Sequence, residues 1–370
     1  MIILKEATKP QIQPVIPDDV EMQEQSERQH MVSPAAIKVL ERQQYRMVGH
    51  HSAVKVCGWT KNMLKKKGGC YKYVFYGIRS HQCMQMTTSM FCANRCTFCW
   101  RGAKAPVSKT WYGPIDEPKK IIEESLSAHH GLLIGFKGNE KASQKLYDQS
   151  EAPRHVALSL TGEPISYPLI NEICAEFHRQ RISTFIVTNA QYPDQIEKVQ
   201  YVTQLYISLD APTKELLKQI DRPLFDDYYE RLLQSLDIMA KKPYRTCIRL
   251  TLIKGINDTL VEQYAELIQR AKPSFIEVKS YMHVGASRNF LKHENMPSMD
   301  DVREFTQRLI SALGNYVEVN EHAPSRVVCL MRDSMEGKNY IDFPKFFAMT
   351  DAQETPLAKD YSAQKMQPNI

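Results

Sequence analysis

The sequence predicts an α/β fold, an open or partial (β/α)6 barrel, and three observations carry that expectation. Six short apolar or alternating runs recur along the chain, at residues 84–90, 155–160, 184–188, 204–209, 246–253 and 275–282. Helix-like stretches alternate with them, which implies parallel pairing through crossover connections. Residues able to do chemistry follow several of these runs, as expected where a parallel sheet gathers its loops at the C-terminal strand ends.

Taken in order, residues 1–32 are polar, rich in Gln and Glu and without periodicity, and predict a mobile arm. Ser33-Pro34 then opens a helix to about Gln44, with Ser as N-cap and Pro at the first helical position. The segment 33–83 precedes the first strand, MQMTTSM (84–90), and the barrel is expected over 84–350. HVALSL, TFIVT, QLYISL, TCIRLTLI and FIEVKSYM supply the other strands. Stretches 117–130, 169–181, 225–240, 258–271 and 299–313 supply helices; Val261, Tyr264, Leu267 and Ile268 follow helical spacing. From 351 to 370 the chain turns polar again and reads as a tail.

With 43% apolar and 24% charged residues, the chain falls among globular proteins rather than disordered ones. No apolar run approaches a membrane span, and MIILKEATKPQ lacks a signal-peptide pattern, so a cytoplasmic protein with no membrane partner is expected. A net charge of +6 fits a polyanionic partner without requiring one. The cysteines discriminate more. Cys57, Cys70, Cys83, Cys92, Cys96 and Cys99 cluster, and in a reducing compartment such a cluster points to metal rather than disulfides. Cys174, Cys247 and Cys329 are scattered and read as core residues.

Cys92, Cys96 and Cys99 form C-x3-C-x2-C directly after the first strand. Three thiolates on one loop can hold three corners of a 4Fe–4S cube and leave the fourth iron open. Zinc is the alternative, but the next imidazoles, His129 and His130, are far along the chain. With Phe98 just before the third cysteine, the motif resembles the radical S-adenosylmethionine (SAM) superfamily. The resemblance implies that SAM's amino and carboxylate groups chelate the open iron, and that one electron cleaves SAM to a 5′-deoxyadenosyl radical. It further implies that Thr161, Gly162 and Glu163 hold the SAM amino group. Thr188, Asn189, Ser208 and Asp210 would meet its ribose and carboxylate.

Cys57, Cys70 and Cys83 are spaced thirteen apart twice over, and three thiolates suffice for a second, auxiliary 4Fe–4S cluster. Lys72 follows Cys70 between Tyr71 and Tyr73, and a desolvated lysine can form a Schiff base with a carbonyl substrate. The two triads, with GCYKYVFYGI, MFCANRCTFCWRG, HHGLLIGFKGN, LSLTGEPISYP and FIEVKSYMHVGAS, together resemble the tRNA 4-demethylwyosine synthase family over about residues 54–322. That family implies tRNA-Phe carrying N1-methylguanosine beside the anticodon, and pyruvate, as substrates. It implies radical attack on the N-methyl group and closure of a third ring by two pyruvate carbons. Lys72 matches the lysine that engages pyruvate. Eukaryotic members carry an upstream flavodoxin-like domain, and a short polar arm stands there in this sequence. The expectation is therefore the archaeal single-domain form, served by a separate electron donor of flavodoxin or ferredoxin type.

Lys61, Lys65, Lys66 and Lys67 beside Trp59, with Arg79, Arg95 and Arg101, offer phosphate contacts; Trp100, Trp111 and Tyr112 offer stacking surfaces. A solvated loop and core aromatics are equally good readings of these residues. Two further alternatives stay open: another radical SAM enzyme acting on a peptide or small metabolite, and an RNA-binding protein using the cysteines structurally.

Overall fold

The computed structural model describes residues 31–101 and 106–365, and the expected arm up to residue 30 lies outside them. One ten-stranded sheet organises the chain. Its strands are β1 (Tyr45–Val48), β2 (Ser52–Lys55), β3 (Cys83–Thr87), β4 (His155–Leu158), β5 (Ser183–Thr188), β6 (Gln204–Ser208), β7 (Arg245–Leu252), β8 (Phe275–Ser280), β9 (Tyr316–His322) and β10 (Val327–Arg332). The spatial order is β1-β2-β3-β4-β5-β6-β7-β8-β10-β9. Every pair from β3 to β8 is parallel, giving the six-stranded partial barrel that the alternating runs predict.

Both edges carry antiparallel additions with no clear signal in the sequence. At one, β1 and β2 form a hairpin on β3. Each has only four residues, too few to display a period. At the other, β10 pairs with β8 and β9 with β10. β9 is an edge strand, mostly polar and partly exposed, and so lacks the apolar run that marks a buried strand.

The helices, in chain order, are α1 (Pro34–Arg42), α2 (Gly58–Leu64), α3 (Tyr71–Tyr76), α4 (Pro118–Leu133), α5 (Gln144–Ser150), α6 (Ile170–Arg179), α7 (Pro193–Lys198), α8 (Lys214–Asp221), α9 (Tyr228–Met239), α10 (Val261–Ala271), α11 (Met299–Leu313) and α12 (Phe343–Asp351). Ser33 caps α1 as expected, its hydroxyl accepting the Ala36 N–H at 3.3 Å. Ile173 and Phe177 of α6, Leu232 and Leu236 of α9, Tyr264 and Ile268 of α10, and Phe305 and Leu309 of α11 bury against the sheet in one continuous core. Each apolar side chain buried in this way contributes about 1.5–3 kcal/mol. Cys174, Cys247 and Cys329 are buried in that core.

Two terminal expectations change. Met31 and Val32, placed in the arm, are buried with Tyr45, Phe91 and Tyr112. Within the predicted polar tail, Tyr361 is fully buried. The reason is Arg245 at the N-terminal end of β7, fully buried and in need of acceptors. Its guanidinium donates to Gln204 Oε1 at 3.0 Å, to the Asn339 carbonyl at 2.8 Å and to Ser362 Oγ, while Tyr361 Oη accepts its backbone N–H at 2.8 Å. The last part of the chain folds back to satisfy a buried charge. No helix among the described residues is long and apolar enough to cross a membrane.

Candidate active site

The loop after β3 carries Cys92, Cys96 and Cys99 and is stitched to the C-terminal end of α8. Arg95 N–H donates to the Asp221 carbonyl at 2.9 Å, Thr97 N–H to the Ile220 carbonyl at 2.8 Å, and Leu224 N–H to the Ala93 carbonyl at 2.8 Å. Arg101, one of the residues open to either a phosphate or a solvated-loop reading, is half-buried and bonded within the loop. It donates to the Met90 and Asn94 carbonyls at 3.4 and 3.2 Å, bonds Cys99 and lies in the field of all three thiols. A guanidinium beside three thiolates offsets part of their charge.

The loop after β4 presses on this one. Gly162 has φ +68, and a Cβ there would stand 1.9 Å from the Ser89 carbonyl oxygen, so only glycine fits. Glu163 N–H donates to the Phe91 carbonyl at 2.7 Å. The Glu163 side chain is buried; Oε2 accepts the Asn189 N–H at 3.0 Å, the Thr188 hydroxyl bonds the carboxylate, and Oε1 has no partner. Burial pushes the carboxyl up to about 7. Asn189 also donates from Nδ2 to Cys92 Sγ at 3.3 Å, which joins the β4 and β5 loops to the cysteine loop. Thr161 stands half-buried at the same turn, where its hydroxyl bonds Tyr45.

Asp210, two residues beyond Ser208 at the end of β6, is buried with Oδ1 unpartnered. Asp221 bonds Cys96 and accepts from Asn94 Nδ2 at 3.2 Å, and its Oδ1 is likewise orphaned. Burial drives both carboxyls upward, and repulsion from Asp210 drives Asp221 further. Three buried carboxylate oxygens here, one each on Glu163, Asp210 and Asp221, have no donor, and an ammonium or ribose hydroxyls would supply one. These acceptors fit the amino and ribose groups of SAM. Asp221, Asn94 and Arg101 were not among the SAM-site residues expected from sequence. Asp221 lies at the end of a helix remote in the chain, and only the loop-to-helix hydrogen bonds reveal it.

The second triad sits at the starts of α2, α3 and β3. Cys57 and Cys70 occupy the N-cap positions of α2 and α3, without capping through sulfur, and Cys83 begins β3. Cys70 lies in the field of Cys57 and Lys72, and Cys83 in the field of Cys70, Cys57 and Lys72. Burial pushes Cys70 to about 11 and Cys83 to about 12. No three His, Cys, Asp or Glu donors among the described residues close on one metal ion. A four-iron cube spaces its thiolate ligands more widely than a single ion's shell does, so the lack of a single-ion site does not speak against one. Lys72 is half-buried, its Nζ 5.6 Å from the centroid of the Tyr206 ring on β6.

The residues considered for RNA contacts divide differently. Tyr112 is buried, its hydroxyl donating to the Met31 carbonyl at 3.0 Å. Trp111 packs on His51, Phe91 and Tyr167, and Trp59 on His322. Trp100 stacks on Tyr45 with Lys55 over both rings. Lys66 and Lys67 are exposed.

Comparison with known proteins follows these lines. A radical SAM superfamily profile matches residues 86–268, and a wyosine base formation profile matches residues 270–332. The S-adenosyl-L-methionine-dependent tRNA 4-demethylwyosine synthase of Arabidopsis thaliana is 44% identical over 344 residues, 91% of this chain and 53% of that protein. The Homo sapiens protein of the same description is 40% identical over 92% of this chain and 48% of its own length. The chain thus spans about half the length of the curated relatives it matches. Two solved structures are covered almost completely. TYW1 with a lysine–pyruvate adduct bound superposes with a TM-score of 0.75 at 37% identity, over 82% of this chain and 98% of the other. An archaeal TYW1 gives 0.67 at 32%, over 82% and 97%. The radical SAM superfamily works with a 4Fe–4S cluster and SAM. On this similarity over whole solved relatives, the chain belongs to the TYW1-type family of tRNA 4-demethylwyosine synthases.

Proposed function

We propose that this chain converts N1-methylguanosine beside the anticodon of tRNA-Phe, with pyruvate, into 4-demethylwyosine. Its reaction class is that of a radical SAM carbon–carbon lyase or synthase. The observation that carries the reading is the setting of Lys72, whose charge is felt by Cys70 and Cys83 and whose Nζ lies against Tyr206 of the barrel wall. The relative solved with a lysine–pyruvate adduct supports it.

Cys92, Cys96 and Cys99 hold the SAM-binding 4Fe–4S cluster, and Cys57, Cys70 and Cys83 hold an auxiliary one. Thr161 and Gly162 form the turn that presents Glu163 to the SAM amino group. Thr188, Asn189, Ser208 and Asp210 receive its ribose and carboxylate. The reduced cluster with SAM supplies a 5′-deoxyadenosyl radical, which an N-methyl C–H bond requires because it offers no acid–base handle. Lys72, as the free amine, adds to the C2 carbonyl of pyruvate. A proton passes to the carbonyl oxygen and water leaves, giving an imine held beside the methyl group. An anticodon-loop base is already single-stranded, so turning it into the barrel mouth costs less than extrusion from a duplex.

Electrons come from a separate donor of flavodoxin or ferredoxin type, in the cytoplasm. The function itself is tested with anaerobically reconstituted protein, SAM, dithionite, pyruvate and tRNA-Phe carrying N1-methylguanosine. Formation of the tricyclic base, followed by mass spectrometry of nucleosides, is expected. SAM cleavage with no tricyclic product under any donor would favour a different radical SAM substrate.

A further inference from the structure

Three cations face the barrel interior near the auxiliary triad, against one carboxylate. Arg249 of β7 is 16% exposed; its Nε donates to Glu277 Oε2 at 3.0 Å and its Cζ lies 4.9 Å from the Tyr206 ring centroid. Lys72 Nζ stands 5.6 Å from the same centroid. Lys279 of β8 lies in the field of Cys70 and of Arg249, with Nζ 3.1 Å from the Ser325 carbonyl. The opposing carboxylate, Glu277, has both oxygens engaged, Oε1 by the Tyr76 hydroxyl at 3.0 Å and Oε2 by Arg249.

That leaves Arg249 Nη2 buried without an acceptor, and the Tyr206 hydroxyl buried without a partner. A guanidinium N–H withheld from water and from any acceptor is costly, and such a group in a native interior calls for a ligand. A thiolate-bound auxiliary cluster would offset part of the charge, but it does not supply a planar oxygen acceptor for Nη2. A carboxylate does, and guanidinium–carboxylate pairing is among the stronger charge-assisted hydrogen bonds. Arg249 also stands between the two sites: its charge is felt by Asp210 at the SAM rim and by Tyr71 beside Cys70.

We propose that Arg249 binds the carboxylate of the 2-oxo acid whose carbonyl Lys72 attacks, and so restricts the site to substrates with a carboxylate on the carbonyl carbon. The proposal rests on the Lys72 reading above. The carboxylate keeps its charge throughout imine formation, in which one water is lost and no electrons are exchanged. Lys279 adds to the positive field, and Lys72 and Arg249 both lie close to the Tyr206 ring.

The test is borohydride trapping on the reconstituted holoenzyme, with the Lys72 peptide quantified by mass spectrometry against concentration of pyruvate or of its neutral ester, methyl pyruvate. Wild type is expected to trap pyruvate at far lower concentration than the ester. Arg249→Gln should raise the half-saturating pyruvate concentration about ten- to a hundredfold, the span of a charge-assisted hydrogen bond, and leave the ester unchanged. Arg249→Lys keeps a cation opposite Glu277 and decides the matter if Arg249→Gln misfolds; it should give an intermediate loss. Iron content should match wild type in the variant used. An unchanged pyruvate-to-ester ratio with normal trapping at Lys72 overturns the Arg249 assignment alone. No trapping at Lys72 in wild type overturns the Lys72 reading and this inference with it.

Discussion

Replacing Glu163 by Gln is expected to stabilise the SAM-free protein at alkaline pH while weakening its hold on SAM. Glu163 is 2% exposed, with Oε2 on the Asn189 N–H and Oε1 unpartnered. Burial raises its carboxyl from 4.5 to about 7. A carboxyl raised in the folded state binds its proton there more tightly than in the unfolded chain. Its contribution to stability is therefore full below pH 4.5, declines as pH rises towards 7, and stays reduced above that. At ~1.36 kcal/mol per pH unit, the reduction amounts to about 3 kcal/mol. Gln carries no charge at any pH, but it leaves an unpartnered N–H where Oε1 stood, costing about 1 kcal/mol. The variant should thus gain about 2 kcal/mol at pH 8 and match wild type to within about 0.5 kcal/mol at pH 5, where the wild-type carboxyl has already lost about 0.8 kcal/mol. Urea unfolding of cluster-reconstituted, SAM-free protein at the two pH values reads this difference. SAM affinity at pH 8, by equilibrium dialysis, should fall about tenfold or more with the loss of a charge-assisted bond. The same stability change at both pH values would refute the burial argument, and unchanged SAM affinity would refute the amino-group assignment.

The cluster assignments predict about eight irons per chain after reconstitution, falling to about four in the Cys57/Cys70/Cys83 triple Ala variant; about four in both proteins would leave the second triad without a cluster. Cys96→Ala should abolish SAM cleavage yet keep the auxiliary cluster's absorbance and iron, and surviving cleavage would remove the radical assignment. Lys72→Ala should retain both clusters and SAM cleavage but lose tricyclic product by at least a hundredfold, roughly the effect of removing a covalent catalyst. Gly162→Ala forces a side chain into left-handed backbone, against the Ser89 carbonyl. It should cost about 2 kcal/mol or more and impair SAM cleavage while sparing iron at the auxiliary site; wild-type cleavage would show that the turn does not set the cysteine loop.

Much of this molecule was legible before folding. Parallel strands β3 to β8 announce themselves because strands buried on both faces need continuous apolar runs, and their order places each C-terminal loop on one rim. The helix over 299–313 was predicted to its observed limits, Ser298 capping Asp301 N–H in a local box that needs no tertiary partner. The cysteine loop is likewise local: three donors within eight residues carry their chemistry in their spacing. Other features depended on contacts distant in sequence. Arg101 reads as a surface cation until the loop closes and holds it beside three thiols. Asp221 acquires a role only because the end of α8 accepts hydrogen bonds from the cysteine loop. Arg249 and Glu277 sit on adjacent strands, and their pairing leaves one guanidinium nitrogen over. Tyr361 and Ser362, polar tail by composition, are drawn inward because a charge buried at β7 must find acceptors wherever the chain can bring them. Periodicity and ligand spacing are short-range properties, written in sequence. Desolvation and hydrogen-bond satisfaction belong to the packed interior, and only the tertiary structure decides them.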